Sequence, residues 1–160
     1  MDGSLGIGVV GTGWVAGEHI KGVLATPGCR LVALCDVDAE RLRARGEASG
    51  VQALYADYAA FLRQPDLDAV IISTPNYLHA EQGIRAAEAG KHVLIEKPAA
   101  ITLESLRALQ RAIKRAGVTS LVGHVMRWNP YLMAAKQLVD TGALGRLFYA
   151  EVDYRHRVGP

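Results

Sequence analysis

The stretch LGIGVVGTGWVA, residues 5–16, decides the fold of this chain. Its first half is a short apolar run, and Gly11, Gly13 and Ala16 then follow at the spacing G-x-G-x-x-G/A. From Trp14 to Leu24 the sequence has the length and composition of a helix. Such a glycine pattern also occurs in turns that bind nothing, but it is informative when it closes a strand and opens a helix. This sequence meets that condition.

Each position in the loop has a physical role in holding a dinucleotide. Gly11 permits a tight turn, Gly13 lets the backbone approach a pyrophosphate, and the small Ala16 lets the helix pack against its strand. Unpaired N–H groups at the start of the helix then face the phosphates. The cofactor contacts predicted from this loop are Gly11, Thr12, Gly13, Trp14 and Val15.

Short apolar runs alternate with helical segments along most of the chain, which is typical of a parallel sheet with helices on both faces. The runs are continuous, as expected of strands buried on both sides. The predicted strands are Leu5–Val10, Leu31–Cys35, Ala69–Ile72, His92–Ile95 and Thr119–Gly123, with a weaker candidate at Ala53–Tyr55. The predicted helices are Trp14–Leu24, Ala39–Ala48, His79–Ala89 and Leu103–Ala116, with a short one from Asp57 to Arg63. The predicted fold class is α/β, a doubly wound parallel Rossmann sheet.

The pattern changes near the end of the sequence. Asn129-Pro130 marks a turn, Tyr131–Val139 is a predicted helix, and Leu147–Arg155 alternates like an antiparallel strand. The change of pattern separates a predicted dinucleotide-binding domain over residues 1–125 from a different segment over residues 126–160. A strand that ends the chain leaves an unpaired sheet edge, which proteins usually cover. We expect a truncated protein or a partner strand elsewhere.

Asp36 adds weight to the dinucleotide interpretation. It ends the second predicted strand, close to the interval of about 20 residues at which an acid binds the adenosine ribose. A carboxylate at this position repels a 2′-phosphate, so the predicted cofactor is NAD in preference to NADP. Arg41 and Arg43 follow on the next helix, and an arginine can reach a phosphate, although we expect a surface role for both.

Composition excludes several other functions. The formal net charge is +2 and the basic residues are mixed with acidic ones, which argues against nucleic-acid and membrane surfaces. No segment approaches the roughly 20 apolar residues of a membrane helix, and the protein is expected to be cytoplasmic. Cys29 and Cys35 fit neither a zinc nor a redox motif, and the histidines are scattered, so no metal site is predicted.

Two further polar segments follow predicted strands. Ser73-Thr74-Pro75-Asn76 closes one strand and Glu96-Lys97-Pro98 closes the next. Open α/β sheets bind ligands at the carboxyl ends of their strands. The first segment has a simpler alternative, a Pro-Asn turn that only caps the following helix. Lys97, beside a carboxylate and followed by proline, suits proton transfer from a substrate hydroxyl.

Taken together, the sequence resembles the Gfo/Idh/MocA family of oxidoreductases, which includes glucose-fructose oxidoreductase and inositol dehydrogenase. The resemblance spans nearly the whole chain. The residues that carry it are Val9-Val10-Gly11-Thr12-Gly13, Asp36, Ser73-Thr74-Pro75-Asn76 with His79, Gly90 to Pro98, and Arg127-Trp128-Asn129-Pro130.

The resemblance implies an NAD-dependent enzyme that transfers a hydride to or from a hydroxyl or ketone of a sugar, inositol or related polyol. Lys97 is then the catalytic residue beside the nicotinamide, and the bond before Pro98 is expected to be cis. Further implied cofactor contacts are Ser73, Thr74, Pro75, Asn76, His79, Glu96, Lys97 and Arg127. Family members are commonly homo-oligomers, so a dimer or tetramer is expected.

The sequence departs from the family in length. Members continue into a large α/β domain whose open antiparallel sheet supplies a catalytic histidine and most substrate contacts, whereas this sequence holds only the first helix and strand of it. The resemblance therefore implies an NAD-binding domain over residues 1–125 and the truncated start of the second, substrate and oligomerisation domain over residues 126–160. His156 is not, by position, that histidine, so turnover is expected of the intact enzyme. Alternatives are a non-catalytic NAD-binding module that pairs through its terminal strand and a relative that cleaves glycosidic bonds through transient oxidation. A methyltransferase-like domain is a third, against which Glu96-Lys97-Pro98 argues.

Overall fold

The computed structural model describes residues 3–153, which contain a six-stranded parallel sheet. The strands are β1 (Leu5–Val10), β2 (Cys29–Cys35), β3 (Leu54–Tyr55), β4 (Ala69–Ile72), β5 (His92–Ile95) and β6 (Ser120–Val122). The helices are α1 (Trp14–Ala25), α2 (Ala39–Ser49), α3 (Tyr58–Leu62), α4 (His79–Glu88), α5 (Leu103–Ala116) and α6 (Pro130–Asp140). Short 3₁₀ segments cover Asn76–Leu78 and Val125–Trp128.

The strand order β3-β2-β1-β4-β5-β6 is that of a doubly wound Rossmann sheet, so the predicted fold class is confirmed. The chain builds outward from β1 in one direction and then crosses to β4 on its other side. Val10, the last residue of β1, is in register with Cys35 of β2 and Ile72 of β4. The loops that follow these three strands therefore start at the same edge of the sheet, where the strand order reverses.

Two apolar cores cover the two faces of the sheet, because successive side chains of a strand point to opposite sides. Val9 of β1 belongs to the core formed with α1 and α2, whereas Val10 belongs to the other. The second core contains the fully buried Phe61 and Leu67, and Cys35 lies in it as a buried free thiol. Burial on both faces explains why the strand sequences are continuous apolar runs.

The predicted terminal strand at Leu147–Arg155 is wrong where the structure describes it. Residues 147–153 have no strand conformation and belong to no sheet of the described residues. Alternating polarity only sorts side chains to two faces, whereas a strand also needs a neighbour that supplies hydrogen bonds. Residues 154–160, including His156, lie outside the described part of the chain.

The chain divides into two compact units, Met1–Gly123 and His124–Pro160. The first holds the whole sheet. In the second, α6 begins at Pro130 and the Asn129 side chain accepts hydrogen bonds from the N–H groups of Tyr131 and Leu132. Within residues 3–153, no helix is both long and apolar enough to cross a bilayer. The same residues contain no cluster of three His, Cys, Asp or Glu side chains placed to bind a metal ion.

Gly8 and Gly22 offer a matched test of core packing. A Cβ at Gly8 would lie 2.6 Å from the Phe61 ring and 2.7 Å from Leu67, and neither buried side chain has room to retreat. Gly8→Ala is therefore expected to lower the free energy of unfolding by about 1–3 kcal/mol. Gly22→Ala, in open space on α1, is expected to raise it by about 0.5–1 kcal/mol. Denaturant unfolding measures both, and equal values for the two variants would contradict this packing.

Candidate cofactor site

The loops after β1 and β4 are joined directly at the point where the strand order reverses. Gly11 has a φ of +81°, and a Cβ on it would lie 2.7 Å from the Ser73 carbonyl group. Only glycine suits both that conformation and that close approach. The Ser73 hydroxyl donates to the carbonyl oxygens of Gly11 at 2.8 Å and Val10 at 3.1 Å. Gly11 and Ser73 thus fix the two loops against each other.

The N-terminus of α1 differs from those of its neighbours. Its N-cap is Gly13, which has no side chain to accept from the free N–H groups, and its first turn contains no acidic residue. By contrast, α2, α3 and α5 are capped by the side chains of Asp38, Asp57 and Thr102, and α4, which also lacks a side-chain cap, has the acidic Glu81 in its first turn. A Cβ at Gly13 would meet nothing within 4 Å. Unsatisfied N–H groups, the positive end of the helix dipole and open space suit an anion such as pyrophosphate.

Asp36 accepts hydrogen bonds from the glycine loop itself. Its Oδ2 accepts from the Thr12 backbone N–H at 2.6 Å and from the Thr12 hydroxyl at 2.8 Å, and both residues are buried. Its Oδ1 accepts from the Asp38 N–H at 3.0 Å. Burial raises the pKa of the Asp36 carboxyl, but the hydrogen bonds from Arg41, Asp38 and Thr12 outweigh it and lower the pKa from 3.8 to about 2. Asp36 is therefore ionised at neutral pH.

Two arginines of α2 contact this loop and its acid. Arg41 donates to Asp36 through Nε at 3.3 Å and Nη2 at 3.1 Å. It therefore does more than the expected surface role, because it contacts the acid of the site. Arg43 does point outward, as expected, with 72% of its side chain exposed. Arg45 Nη2 donates to the carbonyl of Gly13 at 3.1 Å. Arg45 was not among the predicted site residues, although its spacing of four from Arg41 places both on one helix face.

The Ser-Thr-Pro-Asn segment does more than cap a helix. Neither the 3₁₀ segment at Asn76–Leu78 nor α4 has a side-chain cap, so the simpler alternative fails. Pro75 and Asn76 are exposed, while the Thr74 hydroxyl donates to Gln82 Oε1 at 2.6 Å. Gln82, which was not among the predicted site residues, therefore orients Thr74 from within α4.

His79 connects the loops after β4 and β5. It is 1% exposed, with Nε2 2.7 Å from the Thr74 carbonyl oxygen and Nδ1 2.8 Å from that of Pro98. His79 thus links the two loops, because each of its ring nitrogens lies within hydrogen-bond distance of a backbone carbonyl oxygen.

In the Glu-Lys-Pro segment the lysine is exposed and the glutamate is buried. The Lys97–Pro98 bond is cis, as the resemblance implied. Glu96 is buried, with Oε1 2.8 Å from Nε2 of His19 and Oε2 accepting from the Lys97 backbone N–H. His19, another residue missed in the sequence, thereby ties α1 to the loop after β5. The Lys97 side chain is exposed at the carboxyl end of β5.

The predicted cofactor residues therefore fall into distinct positions. Gly13, Trp14, Pro75, Asn76 and Lys97 are open to solvent in full or in part, whereas Thr12, Asp36, His79 and Glu96 are buried and hydrogen-bonded. All of these lie in the first unit. Arg127 lies in the second unit, within the 3₁₀ segment Val125–Trp128. Its role at the cofactor stays a prediction.

Comparison with known proteins agrees with this geometry. The model of the oxidoreductase family with an NAD-binding Rossmann fold, Gfo/Idh/MocA, matches residues 5–124. This chain belongs to the Gfo/Idh/MocA family. It is 39% identical to D-apiose dehydrogenase of Paraburkholderia graminis over 92% of this chain and 39% of that protein. It is 33% identical to the NAD⁺-dependent scyllo-inositol 2-dehydrogenase of Bacillus subtilis over 93% of this chain and 44% of that protein.

A solved family structure has the same fold. Scyllo-inositol dehydrogenase from Lactobacillus casei, with bound NAD(H) and scyllo-inositol, superposes with a TM-score of 0.84 at 30% identity. The match covers 89% of this chain and 42% of that one. This Gfo/Idh/MocA chain thus spans about two fifths of the length of the relatives that it matches.

Asp36 should make stability depend on pH in acid. Because folding lowers its pKa to about 2, its stabilising contribution is complete above about pH 4 and is lost as pH falls toward 2. The shift corresponds to about 2 kcal/mol. Asp36→Asn should lack this component, so its unfolding free energy should fall less steeply with acid than that of the wild type. Denaturant unfolding from pH 6 to 2.5 tests it, with exposed Asp66→Asn as the control; parallel curves for wild type and Asp36→Asn would contradict it.

Proposed function

We propose that this chain is the cofactor-binding part of an NAD-dependent dehydrogenase that interconverts a hydroxyl and a ketone on a sugar, inositol or related polyol. The observation that carries the proposal is the uncapped, acid-free start of α1 beside Asp36, at the point where the strand order reverses. The names of the matched relatives, an apiose and an inositol dehydrogenase, support the substrate class.

The residues present fit a nicotinamide dinucleotide. The open position at Gly13 and the free N–H groups of α1 would hold the pyrophosphate. Asp36, ionised at the end of β2, is the acid proposed to bind the adenosine ribose, and its negative charge disfavours a 2′-phosphate. The proposed cofactor is therefore NAD in preference to NADP.

Lys97 is the proposed proton-transfer residue. A bound nicotinamide would supply hydride transfer to or from the substrate carbon. As the hydride leaves, the hydroxyl on the same carbon must lose its proton, and the Lys97 Nζ is the group proposed to take it. The Glu96 carboxylate, which accepts from the Lys97 N–H, and His79, which contacts the Pro98 carbonyl oxygen, fix the backbone that carries this side chain.

The remaining expectations follow from the family. We propose that residues 126–160 begin the substrate domain and that the intact enzyme is a cytoplasmic homo-oligomer. The alternative of a module that pairs through a terminal strand has lost its motivating observation, because residues 147–153 form no strand. Glycosidic bond cleavage through transient oxidation would use the same cofactor residues, and substrate assays on an intact enzyme would separate it from oxidation of a free polyol.

The start of α1 can be tested by calorimetric titration with NADH. The wild type is expected to bind, and Gly13→Asp is expected to weaken binding by about tenfold or more, because a carboxylate would cap the free N–H groups and repel phosphate. Gly13→Asn supplies the same cap without charge, so its affinity should lie between the two. Unfolding free energy should not fall in either variant, since both residues are good N-caps. Equal NADH affinities in all three proteins would refute this site, and no binding by the folded wild type would refute the proposed function.

The role of Lys97 requires turnover, measured on an intact enzyme that carries this cofactor domain. Lys97→Ala should lower kcat for a polyol by about 10²–10⁴-fold, the usual contribution of a general base, with NADH affinity largely unchanged. Lys97→Arg is the matched control, because it keeps the positive charge but cannot release a proton at neutral pH. It should be nearly as inactive as Lys97→Ala. Substantial activity in Lys97→Arg would assign Lys97 an electrostatic role instead.

A further inference from the structure

The Asp36 carboxylate has no vacant acceptor position. It accepts five hydrogen bonds: two from Thr12, one from the Asp38 N–H and two from Arg41. A carboxylate has about four lone-pair sites, so these donors already fill it. Ribose hydroxyls can therefore bind Asp36 only when one of these donors leaves.

Arg41 is the donor that can leave. Thr12 and the Asp38 backbone are fixed by the loop and by the start of α2, whereas the Arg41 side chain is 48% exposed on a flexible stem. Its two bonds to Asp36, at 3.1 and 3.3 Å, are also longer than those from Thr12. Asp38, with Oδ2 3.4 Å from Arg41 Nη1, is a second carboxylate that can retain the guanidinium.

The Asp36 carboxylate is accompanied by two positively charged side chains of α2. Arg41 neutralises Asp36, and Arg45, one turn further along the same face of α2, places a second guanidinium on the Gly13 carbonyl. A guanidinium binds phosphate oxygens in a bidentate manner. The acid that should exclude a 2′-phosphate is thus accompanied by the group that would bind one.

We propose that Arg41 sets the discrimination between NAD and NADP in this protein. It competes with the ribose hydroxyls of NAD for Asp36, and it supplies the cation that a 2′-phosphate needs. The protein then accepts both cofactors, with a smaller preference for NAD than Asp36 alone would give. This inference rests on the proposed function, since it requires a nicotinamide dinucleotide at Asp36.

The test is calorimetric titration of wild type and Arg41→Ala with NADH and with NADPH at constant salt. The ratio of NADH to NADPH affinity should rise by about tenfold or more in Arg41→Ala, the size expected of one charge-assisted pair of hydrogen bonds. NADPH affinity should fall, while NADH affinity should stay equal or increase. Arg43→Ala is the matched control, since it removes one positive charge from the outer face of the same helix. Its ratio should equal that of the wild type.

The outcomes separate this inference from the proposed function. If the folded wild type binds neither cofactor, the proposed function fails. If the wild type binds NADH but Arg41→Ala leaves the affinity ratio unchanged, or shifts it no more than Arg43→Ala does, the role of Arg41 is refuted. If Arg41→Ala does not fold, Arg41→Gln gives the same comparison through the loss of NADPH affinity, because an amide carries no charge.

Discussion

The pair of hydrogen bonds from Thr12 to Asp36 Oδ2 is the constraint on which the site depends. It joins the loop after β1 to the end of β2 within a buried environment, and the ionised carboxylate strengthens both bonds. With Thr12 turned inward, Gly13 is left as a bare N-cap and α1 begins with free N–H groups. The same interaction fixes the orientation of Asp36, and together with the hydrogen bonds from Arg41 and the Asp38 N–H it keeps the carboxyl ionised. One contact between two loops therefore holds the acid close to the uncapped start of α1.

The other loops are held by a similar use of buried polar side chains. His79 spans the loops after β4 and β5, and His19 with Glu96 ties the second of these to α1. Each of these groups would be costly to bury alone, and each has its hydrogen bonds satisfied. The polar atoms of these side chains lie within hydrogen-bond distance of one another or of the backbone. Lys97, Asn76 and the start of α1 are therefore the groups left facing outward. The buried polar residues shape the crevice, and the exposed ones are available for ligands.

The sequence predicted the sheet well because its strands are buried on both faces and its helices carry recognisable ends. Continuous apolar runs and capping residues such as Asp38 and Thr102 depend only on local sequence. Residues 147–153 were predicted wrongly because a strand depends on a neighbour that local alternation does not reveal. The contacts of His19, Gln82 and Arg45 could not be predicted either. They join residues of different segments, which only the packing of helices onto the sheet brings together.

The environment of Cys35 has a practical consequence for chemical labelling. Burial raises the pKa of its thiol to about 12, with smaller contributions from the charges of Asp36 and Asp57, so it carries almost no reactive thiolate near neutral pH. Cys29 lies only partly buried at the opposite end of the same strand, in register with Leu5. A maleimide dye would therefore attach at Cys29, at the amino-terminal edge of the sheet and away from the crevice. The native sequence thus already allows a single fluorophore to follow ligand binding without a label at the site.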